Sequence, residues 1–469
     1  MKKKFLIGLL GGLFLVLSCP TDLSAQSSNT DAFAIKNIYD EALTNGQCYE
    51  WLYHLCKSVG PRLAGSPQAA AAVEYTRQML DTMGLDTVYL QPCMVPHWVR
   101  GKPAQARLVN HPHLGSLDLA AVALGNTVGT PPGGLNAEVI EVISLDQVDS
   151  LGRLEIEGKI VFYNRPMNPT QINTFRAYGG AVDQRVFGAE RAARYGAVAV
   201  VVRSMTTRTD DVPHTGTNVY AAGIDSIPAI SISTKAADVL HNALVHAPAR
   251  LYLYSDARFL APQISYNVIG EVRGTTYPEE IILVGGHLDS WDIGEGAHDD
   301  GAGCVQSMEV LRILKNTGYR PKRTLRCVLF MNEENGLGGG RAYAEESNRK
   351  KEFHTAAIES DSGGFSPRSF SADGLETVFA KKFRYVNTWL PLLEPYGIRL
   401  GKGGSGADIG PLKSQGGLLF GLRPDSQRYF DYHHTAIDTF EAVNQRELEL
   451  GAAAMTALVY LIDKYGLPE

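Results

Sequence analysis

Cysteine is scarce in this 469-residue chain: six in all, with no C-x-x-C pair. That argues against a closed thiolate metal site and against a dense disulfide framework. Positive charge is not in excess either. Lys plus Arg number 44 against 50 Asp plus Glu, a net charge of −6 at pH 7, which argues against a nucleic-acid partner. There is no fixed-period repeat and no low-complexity tract, so solenoids and flexible scaffolds are set aside. The apolar run from Phe5 to Leu17 is too short for a membrane span. Lys2, Lys3 and Lys4 precede it and the small pair Ser24-Ala25 follows, the pattern of a secretory signal over 1–25. Cys19 hints at a lipoprotein site, but Pro20 argues against one. The expected location is the periplasm or the outside of the cell. Beyond the leader stand Cys48, Cys56, Cys93, Cys304 and Cys327. One disulfide is open to them in an oxidising compartment, although the apolar surroundings of Cys304 and Cys327 suit buried free thiols.

What is present is concentrated in one stretch, G-G-H-L-D-S-W-D-I-G-E-G-A-H-D-D-G-A-G-C, from Gly285 to Cys304. A short apolar run at 281–284 precedes it and reads as a buried strand. Cys304, Met308, Leu311 and Leu314 then recur at helical spacing. A strand end, a loop of His and Asp, and a helix start is the place where open α/β sheets put their chemistry. His287 and Asp299 are read as metal ligands there.

Length predicts two domains. Residues 33–58 read as a helix with Trp51, Leu52 and Leu55 inside. Ser66 is the expected N-cap of a second helix, with Pro67 in its first turn and Gly84 ending it. A strand is expected over 87–95. From 115 to 255 the texture changes: breakers at 129–134, strands at 137–143, 159–163, 197–202 and 227–233, a helix at 187–195, and no cluster of His with carboxylates. His214 stands alone there and reads as structural or surface. This segment is taken as an inserted, β-rich α+β domain between two peptidase parts, 26–114 and 256–469. In the last part strands and helices alternate, with strands near 281, 325–331, 355–358 and 417–422 and helices at 337–347, 375–393 and 446–464. The fold class expected is α/β, a mainly parallel mixed sheet with helices on both faces.

At or just after strand ends stand His287, Asp299, Glu333-Glu334, Asp361 and His433-His434. Imidazoles and carboxylates without thiolates suit zinc or a similar divalent ion with an open position. The set exceeds the needs of one tetrahedral ion and suffices for two if a carboxylate bridges. Asp289, two residues after His287, is placed to orient that imidazole. Of Asp299 and Asp300 one is a ligand; the other caps the next helix or shapes the loop. Of Glu333 and Glu334 one can ligate and the other serve as general base.

G-G-H-L-D-S, D-D-G-A-G, N-E-E-N-G, E-S-D-S-G-G and H-H-T-A-I-D-T, in this order, resemble the co-catalytic dizinc exopeptidases. G-S-G-A-D-I-G-P-L at 404–412 and Y-F-D-Y-H-H-T are similar to the carboxypeptidase Q branch, and 115–255 is similar to a protease-associated domain. The resemblance implies two Zn²⁺ per chain. Asp299 would bridge them, with His287 and Asp361 completing one site and Glu334 and His434 the other. Glu333 would be the general base and Asp289 the residue orienting His287. It implies hydrolysis of dipeptides or short peptides by a hydroxide held between the metals, and a homodimer. The carboxy-end reading needs a cation for the substrate carboxylate, with Lys402, Arg423 and Arg428 as candidates. The alternative, an aminopeptidase, needs an acid for the substrate amine, with Glu295 or Asp408 in that role. A metal-free receptor and a dizinc hydrolase of non-peptide amides are the rival classes.

Overall fold

The apolar run at 281–284 lies inside the strand Tyr277–His287, buried from Ile281 onward. This strand pairs in parallel with Arg323–Phe330 on one side and Phe353–Glu359 on the other. Phe353–Glu359 in turn pairs in parallel with Leu418–Pro424. Near-continuous apolar composition is what a strand covered on both faces requires. The computed structural model of the chain describes residues 23–468. The expected leader and Cys19 lie outside the described residues, save that the first helix, Leu23–Asn45, begins within 1–25. No helix among the described residues is long and apolar enough to cross a membrane.

The four parallel strands form the middle of an eight-stranded sheet. Further strands complete it: the antiparallel ribbon Thr87–Val99 with Arg258–Val272 at one edge and, at the other, Pro367–Gly374, antiparallel to Leu418–Pro424 and parallel to the edge strand Arg399–Lys402. Helices cover both faces, as the alternation predicts. Leu23–Asn45, Pro67–Thr82, Ala302–Asn316 and Gln445–Tyr465 contribute to a core with Ile282, Val284 and Leu325. On the other face Tyr343 and Ala344, from the helix Gly338–Lys350, pack with Leu283 and Phe330. Ser66 caps Pro67–Thr82 as expected, its Oγ accepting the Ala69 N–H at 3.0 Å.

Two expected helices are broken. The one over 33–58 ends at Asn45 and restarts as Cys48–His54. At Gly46 the backbone runs so close to the Ala42 carbonyl and Glu449 that no side chain fits. The one over 375–393 stops at Val386, and a short turn of helix Leu390–Leu393 resumes with Pro391 in its first positions, because proline has no N–H to continue the ladder. All five described cysteines are buried free thiols.

The chain leaves the first sheet at Val99 and returns to it at Arg258, its direct partner across the ribbon. Between them lies a second eight-stranded sheet, whose strands run from Gln105–His111 to Arg250–Tyr254. This unit therefore begins before the expected boundary at 115, since Gln105–His111 pairs with Arg250–Tyr254. Its parallel middle is Leu135–Val142, Ile160–Tyr163, Ala199–Arg203 and Ala229–Ile232. Helices that the sequence reading passes over, Leu145–Ile156 and Thr234–His246, lie against it. One of its cores is shared between the units, since Phe365, Tyr429 and Phe430 of the first pack with Ala177 and Ala181 of the second. Arg100 pins the joint: Nε donates to Asp292 at 3.0 Å, Nη1 to Thr215 Oγ1 at 3.3 Å, and the guanidinium lies over the Trp98 ring.

Candidate metal centre

The acids and imidazoles singled out by the sequence stand in the segments that follow the parallel strands. His287 is the last residue of Tyr277–His287. Asp299 lies in the turn Ala297–Gly301 before the helix Ala302–Asn316. Glu333 and Glu334 follow Arg323–Phe330, Asp361 follows Phe353–Glu359, and His434 follows the short helix Tyr429–Tyr432. Neighbouring parallel strands bring their C-terminal ends to one crevice, so residues distant in sequence converge.

Asp299 is the centre of that convergence. Its Oδ1 is 3.3 Å from His287 Nε2 and its Oδ2 is 3.3 Å from His434 Nε2. His287 Nε2 also stands 3.7 Å from Asp361 Oδ1, and His434 Nε2 stands 3.1 Å from Glu334 Oε2. Asp299 Oδ2 is buried and makes no hydrogen bond. Two ligands of one tetrahedral ion, each about 2.0–2.1 Å from it, lie roughly 3.3–3.4 Å apart. The donor set could hold metal: His287, Asp299 and Asp361 form one candidate group, and Asp299, His433 and His434 another, with Glu334 beside His434. His433 Nε2 lies farther out, 3.7 Å from Asp299 Oδ2, with its ring stacked on that of His434.

The paired residues separate cleanly. Asp300 faces inward, its Oδ2 accepting the His287 N–H and its Oδ1 the Gly303 N–H, both at 3.0 Å. It shapes the loop and the helix start, and a side chain at Gly286 would strike its carboxylate. Asp289 acts otherwise than expected. His287 Nδ1 is 3.0 Å from the Asp289 backbone carbonyl, whereas the Asp289 carboxylate is 3.7 Å from it. That carboxylate instead accepts the N–H groups of Asn332 at 2.7 Å, Glu333 at 3.0 Å and Glu334 at 3.4 Å. Asp289 orients the imidazole through its backbone and the Glu333-Glu334 turn through its side chain.

Electrostatics follow the packing. Burial, with Asp361, Glu334 and Asp299 beside it, pushes the Glu333 carboxyl well above the usual range. Burial and Asp299 raise Glu334 to about 7. Burial pulls His434 down, but the carboxylates of Glu334 and Asp299 outweigh it and hold the imidazole at about 9. Burial likewise opposes ionisation of Asp299, yet the imidazoles of His287 and His434 keep it well below its ordinary value. So many acids at one spot repel one another unless cations lie among them.

The crevice above these residues is a cavity of about 440 Å³, within the range of small-ligand sites. Its far wall comes from the second unit: Asn126, Phe175, Tyr178, Arg185 and Thr217. Nothing in the sequence marks these as functional, because they belong to no motif. His214, the lone histidine, proves to be structural. It is buried, with Nδ1 2.9 Å from the His433 carbonyl. The next residue, Thr215, donates its N–H to the His434 carbonyl at 2.9 Å. That bond helps hold His434 in the left-handed backbone region, φ +61°, which non-glycine residues seldom occupy.

None of the expected chain-end groups lines this cavity. Arg423 is spent on Ser371, Ser362 and the carbonyls of Gly404 and Ser405. Arg428 pairs with Glu447, and Lys402 lies over the rings of Phe379 and Phe383. Glu295 pairs with Lys57, and Asp408 is fully buried beneath the site.

An acid- and imidazole-lined crevice at the strand ends of a mixed α/β sheet defines a metallohydrolase. The sequence profile of Peptidase family M28 matches residues 267–459. Carboxypeptidase Q of Bos taurus is 35% identical over 440 residues, covering 92% of this chain and 88% of that protein. Carboxypeptidase Q of Homo sapiens is 35% identical over 433 residues with the same coverage. The crystal structure of a peptidase M28 precursor from Shewanella amazonensis superposes with a TM-score of 0.88 at 32% identity, covering 94% of this chain and 99% of the other. A zinc aminopeptidase from Bacillus subtilis shares the fold, with a TM-score of 0.62 at 20% identity over 89% of this chain and 95% of its own. The chain belongs to peptidase family M28 and is a metallo-exopeptidase.

Proposed function

We propose that this exopeptidase holds two zinc ions between His287, Asp361, Asp299, Glu334 and His434 and cleaves dipeptides or short peptides in the manner of carboxypeptidase Q. The observation that carries the reading is the placement of Asp299, one oxygen facing His287 and the other His434. When bound, the two cations supply Lewis acidity for the scissile carbonyl and make water acidic enough to attack at neutral pH. Glu333, on the turn held by Asp289, takes the proton from the attacking water and hands it to the leaving amine. The crevice, about 440 Å³ and walled on one side by the second unit, suits a chain end better than the middle of a long peptide. All five ligand positions are present, which favours an enzyme over a metal-free receptor.

The second unit is taken as an inserted protease-associated domain that shapes access to the cleft. Export after removal of 1–25 and assembly as a homodimer complete the proposal. Elemental analysis should find two zinc ions per chain, and mass spectrometry of dipeptide and decapeptide digests should show cleavage confined to ends. Stoichiometric zinc below one, or cuts inside the decapeptide, defeats this reading.

A further inference from the structure

The second unit reaches the metal-site cavity with two short segments, 124–126 and 214–218, joined by a bridge between Gly125 and Thr217. Gly125 is held at both its polar groups. Its N–H donates to the Gly216 carbonyl at 2.9 Å, and its carbonyl accepts from Asn218 Nδ2 at 2.6 Å. It also lies so close against the Trp291 ring that no side chain fits there. Asn126, next in the chain, lines the cavity beside Thr217 and takes the left-handed backbone, φ +61°. Its Nδ2 donates to Thr217 Oγ1 at 2.9 Å and to the Asn335 carbonyl at 3.3 Å, and its Oδ1 accepts from Asn335 Nδ2 at 3.3 Å. Two amides thus clasp each other across the boundary between the units.

The clasp ends on the turn that carries Glu333 and Glu334. Asn335 Oδ1 accepts from Asn332 Nδ2 at 2.5 Å, and Asn332 Oδ1 accepts the Gly338 N–H at 3.1 Å. Asn332, at φ +75°, and Leu337, at φ +64°, also stand in the left-handed region, so the turn needs support from its surroundings. From its own unit it is held by the Asp289 carboxylate, on the amides of Asn332, Glu333 and Glu334. From the other unit it is held by Asn126. The Glu333 carboxylate makes no hydrogen bond among the described residues, so the backbone of this turn sets where it points.

We infer that Asn126 is a positioning residue for Glu333: acting through Asn335, the second unit fixes the aim of the general base. This rests on the metallo-exopeptidase reading of the same site, with Glu333 as its base. The margin for such a base is narrow. It must come within about 2.6–3.2 Å of the proton it takes, and a misplacement of about 1 Å costs about 100-fold in rate. Both hydrogens of the Asn126 amide are already used, which leaves it no donor to offer a substrate. The clasp carries no charge and bonds to none of the expected metal ligands, so it can govern kcat without governing zinc.

The test uses the full chain and phenylalanyl-leucine as substrate. Asn126→Gly removes the amide and suits the left-handed backbone. In the zinc-loaded enzyme it should lower kcat about 10–100-fold, with KM within about threefold and zinc content unchanged. In the metal-free protein, amide hydrogen exchange across 332–337 should quicken about tenfold, the scale of one lost bond to a buried partner. A cycle with Glu333→Gln separates positioning from general support. In that background, read by overnight release of leucine, Asn126→Gly should change turnover by less than about twofold, because the group it aims is gone. Asn126→Asp also tolerates the left-handed backbone and sets an oxygen against the Asn335 carbonyl. It should lose kcat likewise, and it carries the test if the glycine variant does not fold. A rise in KM with kcat held makes Asn126 a substrate contact and refutes the inference, as does loss of zinc or an equal loss of kcat in both backgrounds. Full activity of both Asn126 variants beside an inactive Glu333→Gln refutes the inference alone and leaves the base in place. Wild-type turnover by Glu333→Gln overturns the base assignment and the inference with it, while zinc content and cleavage confined to chain ends still decide the exopeptidase reading.

Discussion

The two sheets of this chain are close to a controlled comparison. Each has eight strands with four parallel strands in the middle. In the first, the loops after those strands carry His287, Glu333-Glu334, Asp361 and His433-His434. In the second, the residues that follow are Ile143, Asn164, Ser204 and Ser233. Two of these are hydroxyls that serve the fold: Ser233 Oγ accepts the Ala236 N–H at 3.0 Å to cap Thr234–His246, and Ser204 Oγ accepts the His214 N–H at 2.9 Å. Equivalent architecture thus gathers candidate metal ligands in one unit and braces in the other. Chemistry follows the side chains that the strand ends present, and the fold supplies only their convergence.

The sharpest way to break the contrast is to remove its centre. Asp299→Ala takes one ligand from each ion, so zinc should fall at both positions and turnover should drop by more than about 10³-fold, several kcal/mol of transition-state stabilisation being lost together. Zinc retained at two per chain in this variant would deny Asp299 its bridging place. Glu333→Gln comes next. It should lower kcat by about 10²–10⁴-fold, the usual yield of a positioned general base, while zinc content and KM stay near wild type. Turnover within tenfold of wild type would move the base elsewhere.

How much of this was legible in the sequence depends on residue type. Asp299, Glu333, Glu334, Asp361 and His434 line one crevice, with His287 buried against Asp299; acids and imidazoles at strand ends are costly to bury, and the sequence shows that cost directly. The parallel core was legible for the same reason, as apolar runs punctuated by glycine. Arg185 was not. A lone arginine in a short helix is the commonest surface feature, and only the packing of Tyr429 and Phe430 against the second unit carries it to the metal ligands. Asp289 was half legible: its nearness to His287 showed, but its carboxylate serves the Asn332–Glu334 amides in the turn after a neighbouring strand, a contact that spacing along the chain does not reveal. The limits of the second unit were misjudged because Gln105–His111 finds its partner about 140 residues later, and long-range pairing leaves little local trace.

The remaining two predictions ask whether the second unit acts on the site through its braces or is merely attached. His214 meets the His433 carbonyl, and its neighbour Thr215 meets that of His434. His214→Ala leaves a buried carbonyl unpaired, a cost of about 1–3 kcal/mol, and frees His434 to relax from its left-handed backbone. Activity should fall about tenfold and zinc should be lost at lower chelator concentration, since displaced support weakens metal affinity about 10–100-fold. Ser233→Ala is the matching control on the far side of the same unit. It removes one cap, costs about 1 kcal/mol of stability, and touches no group near the cavity, so thermal unfolding should shift while kcat/KM holds. If Ser233→Ala lowers activity as much as His214→Ala, the second unit acts on the centre through its overall stability, and the specific brace at His433 and His434 has no part of its own.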